Sequence, residues 1–338
     1  MTPSTTSGAT TAPTLARTII ITGGNTGLGY ACAAALLNGP TGAHEHLVLA
    51  CRDQPRAQAA AAQLRAGAAR GGQVEALVLD LASLASVRQF AHAVNTRVAA
   101  GTLPPLGAVV CNAGVQAGRE LTTTKDGFET TFGVNHLGHF LLVHLLLPGL
   151  TAPARIVVVA SGVHDPAQKF GLPAPSWNDV ADLAHGKLGA AAASDAAFAG
   201  GQRRYTTSKL ANIYFTYALA ERLPAGITAA AFDPGMMPGT GLTRQAPAPI
   251  RFLATYVLPR LIPLLRRVMN PNVHTAKESG AALARLVTDP TLQRVTGKYF
   301  AEYREVRSSP ESYDKGRADD LWQASLQLTG QTAGAHAG

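Results

Sequence analysis

Three side chains able to orient or move protons stand in the middle of the chain: Ser161, Tyr205 and Lys209. Tyr205 and Lys209 belong to the stretch YTTSK, and residues four apart share one face of a helix. A phenol has a pKa of about 10, and a neighbouring ammonium lowers the pKa of a phenol toward working pH. Such a pair also occurs on ordinary surface helices, but here it predicts Tyr205 as a general acid or base.

A glycine-rich turn follows the apolar stretch RTIIIT (17–22) and precedes an Ala/Leu-rich stretch. The turn, TGGNTGLG, holds Gly23, Gly27 and Gly29, which permit positive φ, close approach of an anion and tight packing of a helix on its strand. A helix N-terminus offers free N–H groups and a partial positive charge to a pyrophosphate. A strand before the turn and a helix after it favour a dinucleotide site over a purely structural turn.

The residue after the second apolar stretch discriminates between two dinucleotides. Many such folds carry an acid here that binds the ribose 2′-hydroxyl, whereas this chain has Arg52. A guanidinium suits a 2′-phosphate through charge-assisted hydrogen bonds. NADP(H) is therefore predicted over NAD(H), with a solvated surface role for Arg52, next to Asp53, as the alternative.

Six apolar, β-rich runs would position these residues, at 17–22, 46–51, 74–81, 106–114, 154–161 and 226–235. Helical stretches separate them, one from about Leu28 and others over 54–69, 83–99, 127–150 and 205–223. Apolar strands alternating with helices predict an α/β fold with a doubly wound parallel sheet covered on both faces. Ligands bind beyond the carboxyl ends of strands in such a sheet. We therefore expect the functional residues just after each strand.

Composition indicates one globular domain of 338 residues with 46% hydrophobic and 15% charged residues. The net charge of +8 comes from scattered basic residues, which favours a surface that attracts anions over a nucleic-acid site. Cys32, Cys51 and Cys111 lie in apolar surroundings, so we interpret them as buried thiols in a reducing, cytoplasmic compartment. Residues 1–16 are predicted to be a disordered tail and 331–338 a flexible one. No stretch is apolar and long enough to predict a membrane span.

Taken together, the motifs resemble the short-chain dehydrogenase/reductase family from about residue 17 to 330. The matching pieces, in order, are TGGNTGLG, LDL (79–81), NAG (112–114), VNHLGHF (134–140), Ser161, YTTSK and DPG (233–235). This resemblance implies an NADP-dependent oxidoreductase with a Rossmann fold and a substrate lid.

The resemblance also implies a role for each matched position. Asn135 would hold a proton-relay water through Lys209, and Ser161 would orient the substrate carbonyl. Tyr205 would pass the proton, and Lys209 would bind the nicotinamide ribose. Cofactor binding is implied for Gly23, Asn25, Thr26, Gly27, Leu28, Gly29, Arg52, Asp80, Leu81, Asn112, Ala113, Gly114, Tyr205, Lys209, Pro234, Gly235 and Thr240. No metal is expected, since His136 and His139 lack further ligands at zinc-like spacing.

Two segments lie outside the shared motifs. The insertion 162–204 must loop out, because the hydroxyls of Ser161 and Tyr205 have to reach one substrate oxygen. We expect His164, Phe170 and Trp177 to rim the pocket and 186–201 to be flexible. Residues 240–272 would form the lid, and their apolar stretch 248–268 favours a large lipophilic substrate. Packing on the core, or weak contact with an anionic membrane surface, are the alternatives for 248–268.

Within the family, the chain is similar to retinol-dehydrogenase-like enzymes and to light-dependent protochlorophyllide reductases. The long insertion favours the second group and Cys111 matches one of its cysteines, but Ala211 stands where the photoenzymes carry another. We therefore predict an NADPH-dependent reductase of a bulky apolar carbonyl, or the reverse alcohol dehydrogenase. Light-driven reduction of a protochlorophyllide C=C bond and a non-catalytic NADP-binding protein are the alternatives. Family members often pair through the helices bearing Asn135 and Tyr205, so a homo-oligomer is expected.

Overall fold

The fold is built on one eight-stranded sheet in the order β3-β2-β1-β4-β5-β6-β7-β8. The computed structural model describes residues 16–116, 118–168, 170–193, 195–238, 261–262, 266–267 and 272–332. The strands are β1 Arg17–Thr22, β2 Glu45–Cys51, β3 Gln73–Val78, β4 Leu106–Cys111, β5 Leu150–Val159, β6 Ile227–Asp233, β7 Lys298–Ala301 and β8 Arg304–Val306. Every pairing from β3 to β7 is parallel, and β8 pairs antiparallel with β7. The predicted doubly wound sheet is confirmed, with one antiparallel strand at its edge.

Helices cover both faces of the sheet. They are α1 Gly27–Asn38, α2 Gln54–Ala66, α3 Leu84–Ala99, α4 Thr130–Phe132, α5 Gly138–Leu146, α6 Val180–Ala184, α7 Ala197–Ala220, α8 Ala276–Thr288 and α9 Lys315–Leu328. A π-helical turn, Gly133–Leu137, joins α4 to α5. Neighbouring residues of β1 point to opposite faces: Ile20 belongs to one buried cluster, and Ile19 and Ile21 to another. Because both faces are buried, the strand is continuously apolar.

Four predicted strands end two or three residues earlier than expected, and two of these carry motifs beyond their ends. The runs 74–81 and 106–114 end as strands at Val78 and Cys111. The motifs LDL and NAG therefore lie in turns beyond the carboxyl edge of the sheet, where ligands bind. The short strands β7 and β8 were not among the predicted elements, because strands of four and three residues carry too little periodicity to stand out. The helices α6, α8 and α9 were not predicted either.

The C-terminal helix α9 packs across α5 and α7. The Trp322 ring lies 5.1 Å from that of Phe140 and 6.2 Å from that of Phe215, centroid to centroid. His136 Nε2 and Ser325 Oγ are 2.8 Å apart. This part of α5 and α7, the helices through which a second copy was expected to bind, is covered by the chain itself.

Several predictions concern residues outside the described ones: Thr240, most of the lid 240–272 and of the stretch 248–268, and nearly all of the tails 1–16 and 331–338. The insertion 162–204 is largely described, and its residues 197–201, predicted to be flexible, form the start of α7. None of the helices in the described ranges combines the length and apolar character needed to cross a membrane.

Candidate active site

The glycine-rich turn joins β1 to α1 and has two glycines in the left-handed region. Gly23 has φ 65° and Gly27 has φ 56°, and a Cβ at Gly27 would meet no described atom within 4 Å. A Cβ at Gly29 would lie 2.6 Å from Asn112 Nδ2, so Gly29 is needed for packing. Among the described contacts, the N-cap Thr26 makes no side-chain capping hydrogen bond. The turn is therefore open to an anion at the N-terminus of α1.

A cavity of about 1030 Å³ extends from this turn along the carboxyl ends of β2 and β3. Arg52 lines it and is exposed, with no carboxylate of the described residues within ion-pair distance. Asp53 caps α2 by accepting from Arg56 N at 3.1 Å, and its Oδ2 lies 3.3 Å from Arg56 Nε. The acid beside Arg52 is thus engaged elsewhere, and the Arg52 guanidinium can receive an anion.

The turns after β3 and β4 form the remaining wall of this cavity. Asp80 Oδ1 accepts from Ala82 N at 3.1 Å, and Asp80 Oδ2 lies 3.2 Å from Lys125 Nζ. Asn112 Nδ2 donates to Thr22 O at 2.8 Å, which ties the end of β4 to the end of β1. Asp80, Leu81, Ala113 and Gly114 all line this cavity, and their role in binding a cofactor stays a prediction.

A second cavity of about 480 Å³ adjoins the glycine turn and brings Ser161, Tyr205 and Lys209 together. Ser161 follows β5, whereas Tyr205 and Lys209 lie one turn apart on α7. Lys209 Nζ donates to Val159 O at 3.1 Å and lies 5.6 Å from the centroid of the Tyr205 ring. Asn25, Thr26, Gly27, Leu28, Pro234 and Gly235 also line this cavity.

The fourth predicted catalytic residue, Asn135, lies behind the cavity in the π-helical turn and is fully buried. Its Nδ2 donates to Val115 O and Ser208 Oγ, both at 3.0 Å, and its Oδ1 accepts from Val115 N at 2.8 Å. A Cβ at Gly114 would lie 3.4 Å from Asn135 Oδ1 and 3.7 Å from Lys209 Nζ. In this geometry Asn135 clamps the turn after β4 against α7.

Both histidines of this region are structural. Burial lowers the pKa of His139 to about 4, so its ring is neutral. The ring nitrogen Nδ1 donates to Asn135 O at 3.1 Å, and Nε2 accepts from Thr22 Oγ1 at 2.9 Å. Burial lowers the pKa of His136 to about 3. No cluster of His, Cys, Asp or Glu side chains in the described ranges could hold a metal ion.

Burial dominates the proton affinities of Tyr205 and Lys209, the predicted catalytic pair. It lowers the pKa of Lys209 from 10.5 to about 8, an effect that the negative charge of Asp233 opposes. Burial also raises the pKa of Tyr205, and Asp233 adds to that rise. The direction of this shift is opposite to the one expected from Lys209 alone, because loss of hydration disfavours the phenolate. Tyr205 is held as a neutral phenol.

Of the three residues predicted at the pocket rim, only Phe170 lines the cavity that holds Ser161, Tyr205 and Lys209. His164 is buried: its Nδ1 donates to Ser161 O at 2.7 Å and its Nε2 accepts from Ser309 N at 2.9 Å. Trp177 packs edge-on against Tyr214, 4.6 Å between centroids. Both were predicted at the rim because the insertion was expected to loop away from the core, whereas it folds back onto α7.

Several lining residues were not predicted, namely Gln116, Val163, Leu172, Asp233, Met236, Met237 and Pro238. Val163 and Asp233 carried a usable signal, because one follows Ser161 closely and the other opens the DPG motif at a strand end. Leu172 carried none, since only the folding of the insertion brings it to the cavity.

Comparison with known proteins agrees with this geometry. A family model described as short chain dehydrogenase matches residues 17–170, and one described as AcuH dehydrogenase domain matches 241–337. Mouse (Mus musculus) retinol dehydrogenase 14 is 37% identical over 326 residues, covering 93% of this chain and 86% of the relative. The rice (Oryza sativa subsp. japonica) chloroplastic protochlorophyllide reductase A is 34% identical over 330 residues, covering 92% and 80%.

Solved structures show the same fold. A crystal structure of an uncharacterized protein from Mycobacterium paratuberculosis superimposes with a TM-score of 0.63 at 29% identity and covers 94% of both chains. A short chain dehydrogenase from Burkholderia cenocepacia, solved with NADP, gives a TM-score of 0.59 at 24% identity and covers 85% of this chain and 96% of the other. From its site and its relatives, the chain belongs to the short-chain dehydrogenase/reductase family of oxidoreductases.

Proposed function

We propose that the chain is an NADP(H)-dependent oxidoreductase that transfers a hydride between nicotinamide and the carbonyl or alcohol group of a bulky lipophilic substrate. The proposal depends above all on one cavity of about 480 Å³, where Ser161, Tyr205 and Lys209 meet the glycine turn and an apolar wall. When bound, the cofactor supplies the hydride chemistry, and the protein supplies binding, orientation and the proton.

The residues that line the two adjoining cavities fit a dinucleotide with a 2′-phosphate. The open face at Gly27 and the N-terminus of α1 suit a pyrophosphate, because nothing in the described chain fills the space beside Gly27. No carboxylate of the described residues lies within ion-pair distance of Arg52, which directly follows β2, so its guanidinium is the 2′-phosphate ligand in this proposal. Lys209 would donate to the ribose next to the nicotinamide.

The proton chemistry follows from the states of the two hydroxyl groups. Tyr205 is a neutral phenol in this cavity, so it can donate a proton to the developing alkoxide during carbonyl reduction. Ser161 orients the same oxygen by a hydrogen bond. The Lys209 ammonium stabilises the tyrosinate that remains, and the same steps run backward for alcohol oxidation.

The cavity wall favours an apolar substrate. Val163, Phe170, Leu172, Met236 and Met237 line one part of it. Thioether and aliphatic side chains accept apolar groups of varied shape without demanding hydrogen bonds. Among the lining residues that the structure describes, only Lys209 and Asp233 are charged, and both lie at the catalytic end. In the proposal the reacting group is polar and the remainder of the substrate is not, and the lid 240–272 would cover it.

Replacing Tyr205 with Phe tests the assigned chemistry. We expect the Tyr205→Phe variant to lose turnover on bulky apolar aldehydes and ketones by at least about a hundredfold, as for removal of a general acid. NADPH binding, followed by nicotinamide fluorescence, should stay near normal, since the phenolic oxygen is not the main ligand. Equal loss of binding and turnover would contradict the role of Tyr205.

The similarity to protochlorophyllide reductase supports a second candidate, light-driven reduction of a protochlorophyllide-like C=C bond. Ala211, which stands where the photoenzymes carry a cysteine, is fully buried in the core and does not line the cavity. Illumination of the protein with NADPH and protochlorophyllide decides between the two: conversion only in light would establish the photoenzyme. NADPH binding without turnover of carbonyls or pigment would instead favour a non-catalytic NADP-binding protein.

A further inference from the structure

Asp233 is a buried carboxylate in the wall of the catalytic cavity. It is the last residue of β6, is 2% exposed, and lines the cavity together with Ser161, Tyr205 and Lys209. Burial of a charge is costly unless hydrogen bonds or an opposite charge compensate it. The proposed hydride transfer and proton transfer do not by themselves require a carboxylate here.

Neutral donors hold the Asp233 side chain in place. Its Oδ1 accepts from Gly235 N at 3.0 Å, and its Oδ2 accepts from Asn272 Nδ2 at 2.8 Å. A Cβ at Gly162 would lie 3.0 Å from Asp233 Oδ2, so the carboxylate lies against the turn that carries Ser161. No Lys, Arg or His of the described ranges lies within ion-pair distance of it. The carboxylate is therefore fixed in position, and it acts on its neighbours through space.

The titratable groups around Asp233 come from four elements. Lys209 and Tyr205 face it from α7, His164 from the turn after β5, and Tyr299 from β7. His274, before α8, lies next to Gly235 but is paired with Glu302 Oε1 at 2.5 Å. Burial lowers the pKa of His164, whose Nε2 accepts from a backbone N–H, and burial raises the pKa of Tyr299. Lys209 is thus the cation on which the carboxylate can act.

We propose that Asp233 is a positioning residue that keeps Lys209 charged and Tyr205 protonated. This is the proton-donating state that carbonyl reduction needs, so the role of Asp233 rests on the proposed function. A carboxylate stabilises a nearby ammonium and destabilises a nearby phenolate, so one charge favours the same state of both groups. The negative charge of Asp233 raises the pKa of both residues, which partly offsets the lowering of the Lys209 pKa by burial. Asp233 would thereby bias the enzyme toward reduction at neutral pH.

The test measures Lys209 directly by competitive labelling with acetic anhydride across a pH series, read by peptide mass spectrometry. In the native protein we expect the Lys209 labelling midpoint near pH 8. In Asp233→Asn it should fall by about one pH unit, the lower end of the effect of a neighbouring charge. Asn272→Ala is the matched control, because it removes the hydrogen bond to Oδ2 but keeps the carboxylate and the hydrogen bond from Gly235 N to Oδ1; its midpoint should shift by clearly less than that of Asp233→Asn.

An unchanged midpoint in Asp233→Asn, or an equal shift in Asn272→Ala, would overturn the proposal. Asp233→Ser serves as a second charge-removing variant if Asp233→Asn does not fold, as judged by thermal unfolding and NADPH binding. Labelling needs no turnover, so an inactive native protein would refute the proposed function while the Lys209 midpoint still tests Asp233. In an active enzyme, the pH of half-maximal alcohol oxidation should fall in parallel with the Lys209 midpoint.

Discussion

Replacing Arg52 with Ala should weaken NADPH binding and leave NADH binding nearly unchanged. Arg52 has no competing carboxylate among the described residues, so its whole effect falls on an incoming anion. A hydrogen bond to a charged group contributes about 1.5–3 kcal/mol, and exposure to solvent reduces that value. We take about 2 kcal/mol, which raises the Kd of NADPH roughly thirtyfold. The Kd of NADH should change by less than about threefold, because it lacks the phosphate.

Fluorescence titration of both cofactors against native protein and variants measures these values at one fixed salt concentration. Arg56→Ala is the matched control, because Arg56 lines the same cavity as Arg52 but pairs with Asp53. We expect it to change the Kd of NADPH by less than about threefold. Equal weakening of NADPH and NADH by Arg52→Ala, or a larger loss in Arg56→Ala, would refute the assignment of the 2′-phosphate to Arg52.

Three further outcomes follow from the same structure. Carbonyl reduction should decline as pH rises through about 8, because the pKa of Lys209 lies there and the neutral amine no longer stabilises the tyrosinate; a rate constant flat from pH 7 to 10 would contradict this. Gly29→Ala should lower the free energy of unfolding by about 1–3 kcal/mol, because the new Cβ would lie 2.6 Å from Asn112 Nδ2. Gly27→Ala should lower it by about 1 kcal/mol, because the new Cβ meets no described atom and the cost comes only from the positive φ. Denaturant unfolding of both variants measures the two values. No dimer should form through the part of α5 and α7 that Trp322 and its helix cover, as light scattering of the native chain and of a variant with a charge on that face would show; a stable dimer through that face would show that the helix is displaced.

Local pattern predicted the parts of the site that lie within one element. Tyr205 and Lys209 share a helix face by spacing alone, and the glycine turn is defined by its neighbours in sequence. Their shared cavity also follows from a general rule, because the carboxyl ends of parallel strands meet at one edge of a sheet. The position of Arg52 in the wall of the adjoining cavity was predicted in the same way, as the residue after a strand.

Tertiary packing determined what the sequence could not predict. His164 and Trp177 lie in the insertion, and their placement depends on partners distant in sequence, such as Ser309 and Tyr214. A polar or aromatic residue after a strand can point into the pocket or into the core. No periodicity distinguishes these outcomes in an irregular segment, because the decision depends on which surface the loop covers.

The protonation state of Tyr205 shows the same limit in energetic terms. The spacing from Lys209 correctly places a cation near the phenol, at 5.6 Å from its ring centroid, but the sign of the net pKa shift depends on burial. Lys209 loses hydration in the same cavity, so the group meant to stabilise a phenolate has its own pKa lowered to about 8. Asp233 then acts on both, and its position is set by Gly235 and Asn272. In the proposed function, a neutral phenol beside a lysine and a buried carboxylate donates the proton, so the pH dependence of both reaction directions would be more informative about this site than a rate at one pH.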